Sequence, residues 1–223
     1  MPHDSHWQHW HEQYAEADSA LNRRLSIVRA HIVHWLEHRP PGQGRRILSL
    51  CAGDGRDVLG VLGQRPSDAT AVQTVLVELD TCLADAARHR AEDQGISNVD
   101  VRTADAGNTR AYADAVPADL LLLCGIFGNV SDDDVRRTVT AVPRLVGPDA
   151  TVIWTRSRRA PDLTPRIREW FVDAGCEELA FNAPSDELFS VGVSRFTGAP
   201  APLEDETVLF GFATGLQPPG GGQ

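Results

Sequence analysis

The chain has 223 residues, 42% of them apolar, and a formal net charge of −10. That is enough length and apolar content for one folded domain with a sizeable core, while the acidic balance excludes broad attraction to nucleic acid or to an anionic membrane surface. No apolar run reaches the ~20 residues of a bilayer-spanning helix and no basic leader opens the chain, so the reading is a cytoplasmic protein with a small-molecule partner.

Residues 1–40 read as a helical segment of their own. Trp7, Trp10 and Tyr14 are spaced three and four apart, and Leu21, Leu25, Val28, Ile32 and Trp35 continue a one-sided apolar pattern after a break near Asp18 and Ser19. Pro40-Pro41-Gly42 closes the segment. Seven of the eight histidines precede residue 40. Flexible terminal histidines are usually solvated, so no metal is expected. The segment is expected to form a lid, with Trp7 and Trp10 facing substrate and His11 or Tyr14 available as a base; plain docking of the aromatics on the domain is the competing reading.

From Arg46 short apolar runs alternate with amphipathic stretches, the pattern of a parallel sheet with crossover helices. Strands are expected at Ile47–Leu50, Thr74–Glu78, Val99–Arg102, Leu120–Cys124 and Thr151–Thr155, and helices at Arg56–Leu62, Leu83–Gln94, Asp132–Leu145 and Pro165–Ala174. Ser131 before three aspartates, and Thr164 before Pro165, mark two helix starts. Phe189–Phe196 and Thr207–Phe212 are expected to pair as an antiparallel hairpin. The domain is taken as 41–215, with 216–223 a disordered tail. The four cysteines form no Cys-x-x-Cys pair, and all 21 Lys+Arg residues are arginine, which excludes lysine-based chemistry.

The first strand runs into C-A-G-D-G-R-D. A dinucleotide loop needs a third glycine, for close helix packing, where this chain has Val58, and Asp57 would place negative charge beside a pyrophosphate. The second strand ends in Glu78, about twenty-five residues after the loop, where a carboxylate can accept two hydrogen bonds from a ribose diol. Asp105 ends the third strand, where it can receive an exocyclic amine. Each feature also has a bland explanation in turns and solvated strand ends.

In their order and spacing, I-L-S-L-C-A-G-D-G, L-V-E-L-D-T-C-L-A-D-A-A-R, T-A-D-A-G-N and A-D-L-L-L-L-C-G-I-F-G-N-V resemble the class I S-adenosylmethionine-dependent methyltransferases over residues 46 to 212. The resemblance implies a Rossmann-like seven-stranded, mostly parallel sheet with an antiparallel last strand, and S-adenosylmethionine as cofactor. It implies a loop of Cys51, Ala52, Gly53 and Gly55 against the methionine part and ribose, Glu78 on the ribose, and Leu79, Asp105 and Ala106 at the adenine. Cys124 and Gly125 would line the methionine end.

Ser49 and Cys51 depart from the family, which often has an acid and a glycine there; a thiol fits at Cys51 if its φ is negative. Transfer from a sulfonium needs positioning, water exclusion and sometimes a base. Asn129, Trp154 and Arg156 are candidate substrate contacts, and Arg156, Arg158 and Arg159 together point to an anionic acceptor such as a secondary metabolite. A nicotinamide-dependent oxidoreductase and a non-catalytic cofactor-binding domain are the alternatives.

Overall fold

The computed structural model describes residues 19–38, 45–204 and 206–212. Trp7, Trp10, His11, Tyr14, the proline-rich stop and the tail 216–223 lie outside the described residues. Helix α1, Ala20–His38, begins where Ser19 Oγ accepts the Asn22 N–H at 3.2 Å, a serine cap at the expected break. Its buried positions Val28, Ile32, Trp35 and Leu36 form one stripe.

Seven strands form one sheet: β1 Arg45–Leu50, β2 Val72–Glu78, β3 Val99–Thr103, β4 Ala118–Leu123, β5 Val146–Ser157, β6 Cys176–Asn182 and β7 Phe189–Phe196, in the order β3-β2-β1-β4-β5-β7-β6. β1 to β5 pair in parallel, and β7 pairs antiparallel with both β5 and β6. Six strands therefore share one direction and β7 opposes them.

The connecting helices are α2 Val58–Leu62, α3 Pro66–Ala71, α4 Thr81–Asp93, α5 Asp132–Thr140, α6 Val142–Leu145 and α7 Thr164–Asp173. Strand residues alternate between two apolar layers. Ile47, Leu120, Leu122 and Ile153 pack with α1, α2 and α4. Leu48, Leu50, Leu121, Leu123, Val152 and Trp154 pack with α5, α6 and α7. This period of two, with helices on both faces, is why the strands read as nearly continuous apolar runs.

Two sequence expectations are corrected. Thr207–Phe212 is not the partner of Phe189–Phe196: β7 pairs with β6, which the sequence reading passed over. β6 is an edge strand whose Glu177, Glu178 and Leu179 are exposed, so it lacks the apolar alternation that marks a strand. Beyond one bridge between Asn108 and Val208, residues 207–212 form no strand. The single helix expected over Asp132–Leu145 is two, with Pro143 in the first turn of α6; a proline fits there because a first-turn N–H has no helical partner. Ser131 caps α5 as expected, accepting the Asp134 N–H at 3.2 Å.

Candidate functional site

Strand order reverses between β1 and β4, and an open α/β sheet binds ligands at the carboxyl ends of its strands beside such a reversal. A cavity of about 330 Å³ lies there. Its wall includes Cys51, Ala52, Gly53 and Asp54 after β1, Glu78, Leu79 and Asp80 after β2, Asp105 and Ala106 after β3, Cys124, Gly125 and Asn129 after β4, and Thr155 of β5.

Glu78 is the organising side chain. It is buried, its Oε2 accepts the Gly53 N–H at 2.8 Å, and its Oε1 accepts the Asp80 N–H at 2.9 Å. One carboxylate thus ties the glycine loop to the turn after β2, and a carboxylate's roughly four acceptor sites leave capacity for a ligand beside these donors. Burial pushes its pKa above the ordinary carboxylate range, opposed by these backbone donors.

Gly53 and Gly55 both have positive φ, +58° and +66°. Gly53 lies on the wall. Gly55 does not: a Cβ there would lie 2.8 Å from Leu59 Cδ1 and 2.9 Å from Leu76 Cδ1, so its role is close packing of α2 on β2.

Cys51, at the head of the loop, was expected to fit through a negative φ, and this is corrected. Cys51 has φ +54°, a left-handed conformation that costs a non-glycine residue roughly 1–2 kcal/mol. Its thiol is packed against the core, and burial, with Glu78 and Asp105 nearby, pushes its pKa up. Cys51→Gly is therefore expected to hold or raise stability by up to about 1 kcal/mol, while Cys51→Val lowers it by about 2 kcal/mol, since a β-branched residue fits this backbone worse. Urea unfolding midpoints check the pair; a clear loss in Cys51→Gly would show that thiol packing outweighs the strain.

Asp57 occupies the start of α2, where its Oδ1 accepts the Val58 N–H at 2.7 Å. Burial pushes its pKa up. Asp54 is held by Arg56 and Arg90, each at 2.7 Å. The start of the helix thus already carries a carboxylate. Gly125, with φ +80°, is fixed from both sides: its N–H donates to Thr155 Oγ1 at 2.9 Å, and its carbonyl accepts Asn129 Nδ2 at 2.7 Å.

Helix α1 closes one side through Arg24, Leu25 and Val28. It is held at the β6–β7 turn by Arg23 with Asp186 at 2.9 Å and by His31 with Asn182 at 2.7 Å. Arg29 Nε donates to the Arg56 carbonyl at 3.0 Å, fixing the helix to the glycine loop. Arg24 lies close enough to Cys124 for its charge to act on the thiol. Arg24 is a wall residue not expected from the sequence, although Leu25 and Val28 beside it belong to the one-sided apolar pattern.

Two candidate substrate residues lie off the wall. Trp154 is 1% exposed, inside the core. Arg156 donates to the Phe127 carbonyl and pairs with Asp132 at 3.6 Å, and Arg158 Nη2 donates to the carbonyls of Pro184 and Glu187, both at 2.6 Å. These two guanidiniums brace loops, which removes most of the basis for an anionic acceptor.

No protein-family model and no curated protein matches the chain. Solved structures do. An O-methyltransferase family protein from Burkholderia thailandensis superposes with a TM-score of 0.62 at 16% identity, covering 78% of this chain and 55% of that one. The CurJ carbon methyltransferase gives 0.64 at 14%, covering 81% and 56%. A TehB-like SAM-dependent methyltransferase from Corynebacterium glutamicum gives 0.56 at 17%, covering 84% and 94%. The chain has the fold of the class I S-adenosylmethionine-dependent methyltransferases. It spans little more than half the length of the first two of these structures and nearly the whole of the third.

Proposed function

We propose that the protein is a methyltransferase that uses S-adenosylmethionine to methylate a small-molecule acceptor. The observation that carries this reading is the charge of the cavity: five carboxylates, Asp54, Asp57, Glu78, Asp80 and Asp105, line it with two guanidiniums, Arg24 and Arg56. Such a wall suits a sulfonium and an ammonium and opposes a pyrophosphate. The Val58 N–H that would meet a phosphate is already bonded to Asp57, which disfavours a dinucleotide.

The residues present fit the cofactor. Glu78 accepts the ribose hydroxyls, Leu79 packs on the adenine, Asp105 accepts from its amine and the Ala106 N–H donates to a ring nitrogen. Cys51, Ala52, Gly53, Cys124 and Gly125 surround the methionine end, with Arg24 for the carboxylate. When bound, the cofactor supplies a methyl group already activated on sulfur. The chain's part is then orientation and exclusion of water. Asn129 lies on the wall at this end and faces the acceptor; Arg156, by holding the Phe127 carbonyl, keeps that loop in place. Residues 1–18, outside the described residues, are proposed to act in turnover, with Trp7 and Trp10 as substrate contacts and His11 or Tyr14 as the base.

Calorimetry of the purified chain should show binding of S-adenosylmethionine and S-adenosylhomocysteine and none of NAD or NADP; binding of the dinucleotides alone would overturn the proposal. Transfer of label from the methyl donor to extract metabolites separates an enzyme from a passive cofactor binder. Removal of residues 1–18 should leave cofactor affinity intact and lower that transfer; full transfer would reject their role.

A further inference from the structure

After the last strand the chain returns to the site as a strap, residues 206–212, laid along the loop that follows β3. The Thr109 N–H donates to the Thr207 carbonyl at 3.0 Å, and the Leu209 N–H to the Gly107 carbonyl at 2.7 Å. Arg137 Nη1 donates to the Leu209 carbonyl at 3.3 Å, and the Gly211 N–H to Asp134 at 3.4 Å. Leu209 and Phe210 are buried in the core layer that also holds Ala106 and Tyr112. The contact is close: a Cβ on Gly107 would lie 2.1 Å from the Phe210 carbonyl oxygen.

Two residues further on, Phe212 meets Phe210 edge-on, with ring centroids 5.8 Å apart, and lines the same cavity as Leu79, Asp105 and Ala106. Leu79 and Phe212 are 61% and 36% exposed. Large apolar side chains left in water at one cavity mouth call for an apolar ligand surface.

We propose that Phe212 is a further cofactor-binding residue, an aromatic lid over the adenine, and that the strap on Gly107 is the device that delivers it. This rests on the S-adenosylmethionine reading of the cavity. A flat aromatic ring contributes large contact area and stacking to a nucleobase at small entropic cost.

The test is calorimetry with S-adenosylhomocysteine and with adenosine. Phe212→Ala should weaken both by about tenfold or more, Phe212→Trp should retain affinity, and Val208→Ala, an exposed strap position, should match the unaltered chain. Gly107→Ala should reproduce the loss with Phe212 intact, since the strap must shift. Thermal melting of each variant confirms that the fold persists. Unaltered affinity in folded Phe212→Ala overturns the lid, and unaltered affinity in Gly107→Ala overturns the strap as its support. If the unaltered chain binds neither probe, it is the cofactor reading beneath them that fails.

Discussion

Replacing Glu78 by alanine should weaken S-adenosylmethionine binding by roughly ten- to a hundredfold, the effect of losing hydrogen bonds to a charged acceptor. Two losses combine. The ribose loses its acceptor, and the Gly53 and Asp80 N–H groups lose the carboxylate that holds both turns in register. Glu78→Gln separates them: its amide keeps one acceptor oxygen, so it should hold part of the loop and recover only part of the affinity. Calorimetry on variants whose melting is first shown to be cooperative measures this, and unchanged affinity in Glu78→Ala would reject the ribose role.

The same carboxylate has a pH signature. Burial raises its folded pKa above the unfolded value, so the native state holds more protons than the unfolded chain in the interval between them. Stability from this group therefore rises as pH falls through the raised pKa. Cofactor affinity should move the opposite way, because a protonated carboxyl loses acceptor capacity for the diol. A wild-type affinity that falls on acidification before ordinary carboxylates titrate, with a flatter profile in Glu78→Gln, is the expected result. Asp57 shifts in the same direction, so the difference between the two proteins carries the test.

The parts of this molecule that were readable from sequence are those with strong local causes. β1, β2 and β4 are largely buried and show as nearly continuous apolar runs, and Ser131 marks its helix by a side-chain cap. The strand-end carboxylates were found because the sheet reversal gives their positions meaning. What escaped depends on distant pairing. β6 is defined by its ladder to β7 rather than by its own pattern. The 206–212 strap bonds to a loop about a hundred residues earlier in the chain, through a glycine whose missing Cβ only the fold explains. The arginines at the end of β5, Arg156 and Arg158, read as open charge until the carbonyls they brace were placed beside them. Cys51 was misjudged because a residue type does not reveal its φ.

Trp154→Ala should be the most damaging single change to stability, at about 3–5 kcal/mol, out of the 5–15 kcal/mol that a domain of this kind commonly has. The indole was first a candidate for the substrate wall, since it lies near the end of β5. Strand alternation instead turns it into the layer with α7, where it stacks on Phe171 at 5.7 Å and meets Phe127 at 6.1 Å and Phe181 at 5.9 Å. The neighbouring strand makes room for it: Gly192 of β7 lies opposite in the register, and a Cβ there would fall 2.1 Å from Trp154 Cε2. Gly192→Ala should thus also destabilise, by about 1–3 kcal/mol through overpacking. Because these two sites are in contact, their effects should not add: with the indole gone, the added methyl has space, and the double variant should be less impaired than the sum. Trp154→Phe keeps an apolar ring and should bind S-adenosylhomocysteine as the unaltered chain does, at lower stability. A substrate-wall tryptophan would give the reverse, a stable protein with altered acceptor turnover, and chemical denaturation beside an affinity measurement distinguishes the two.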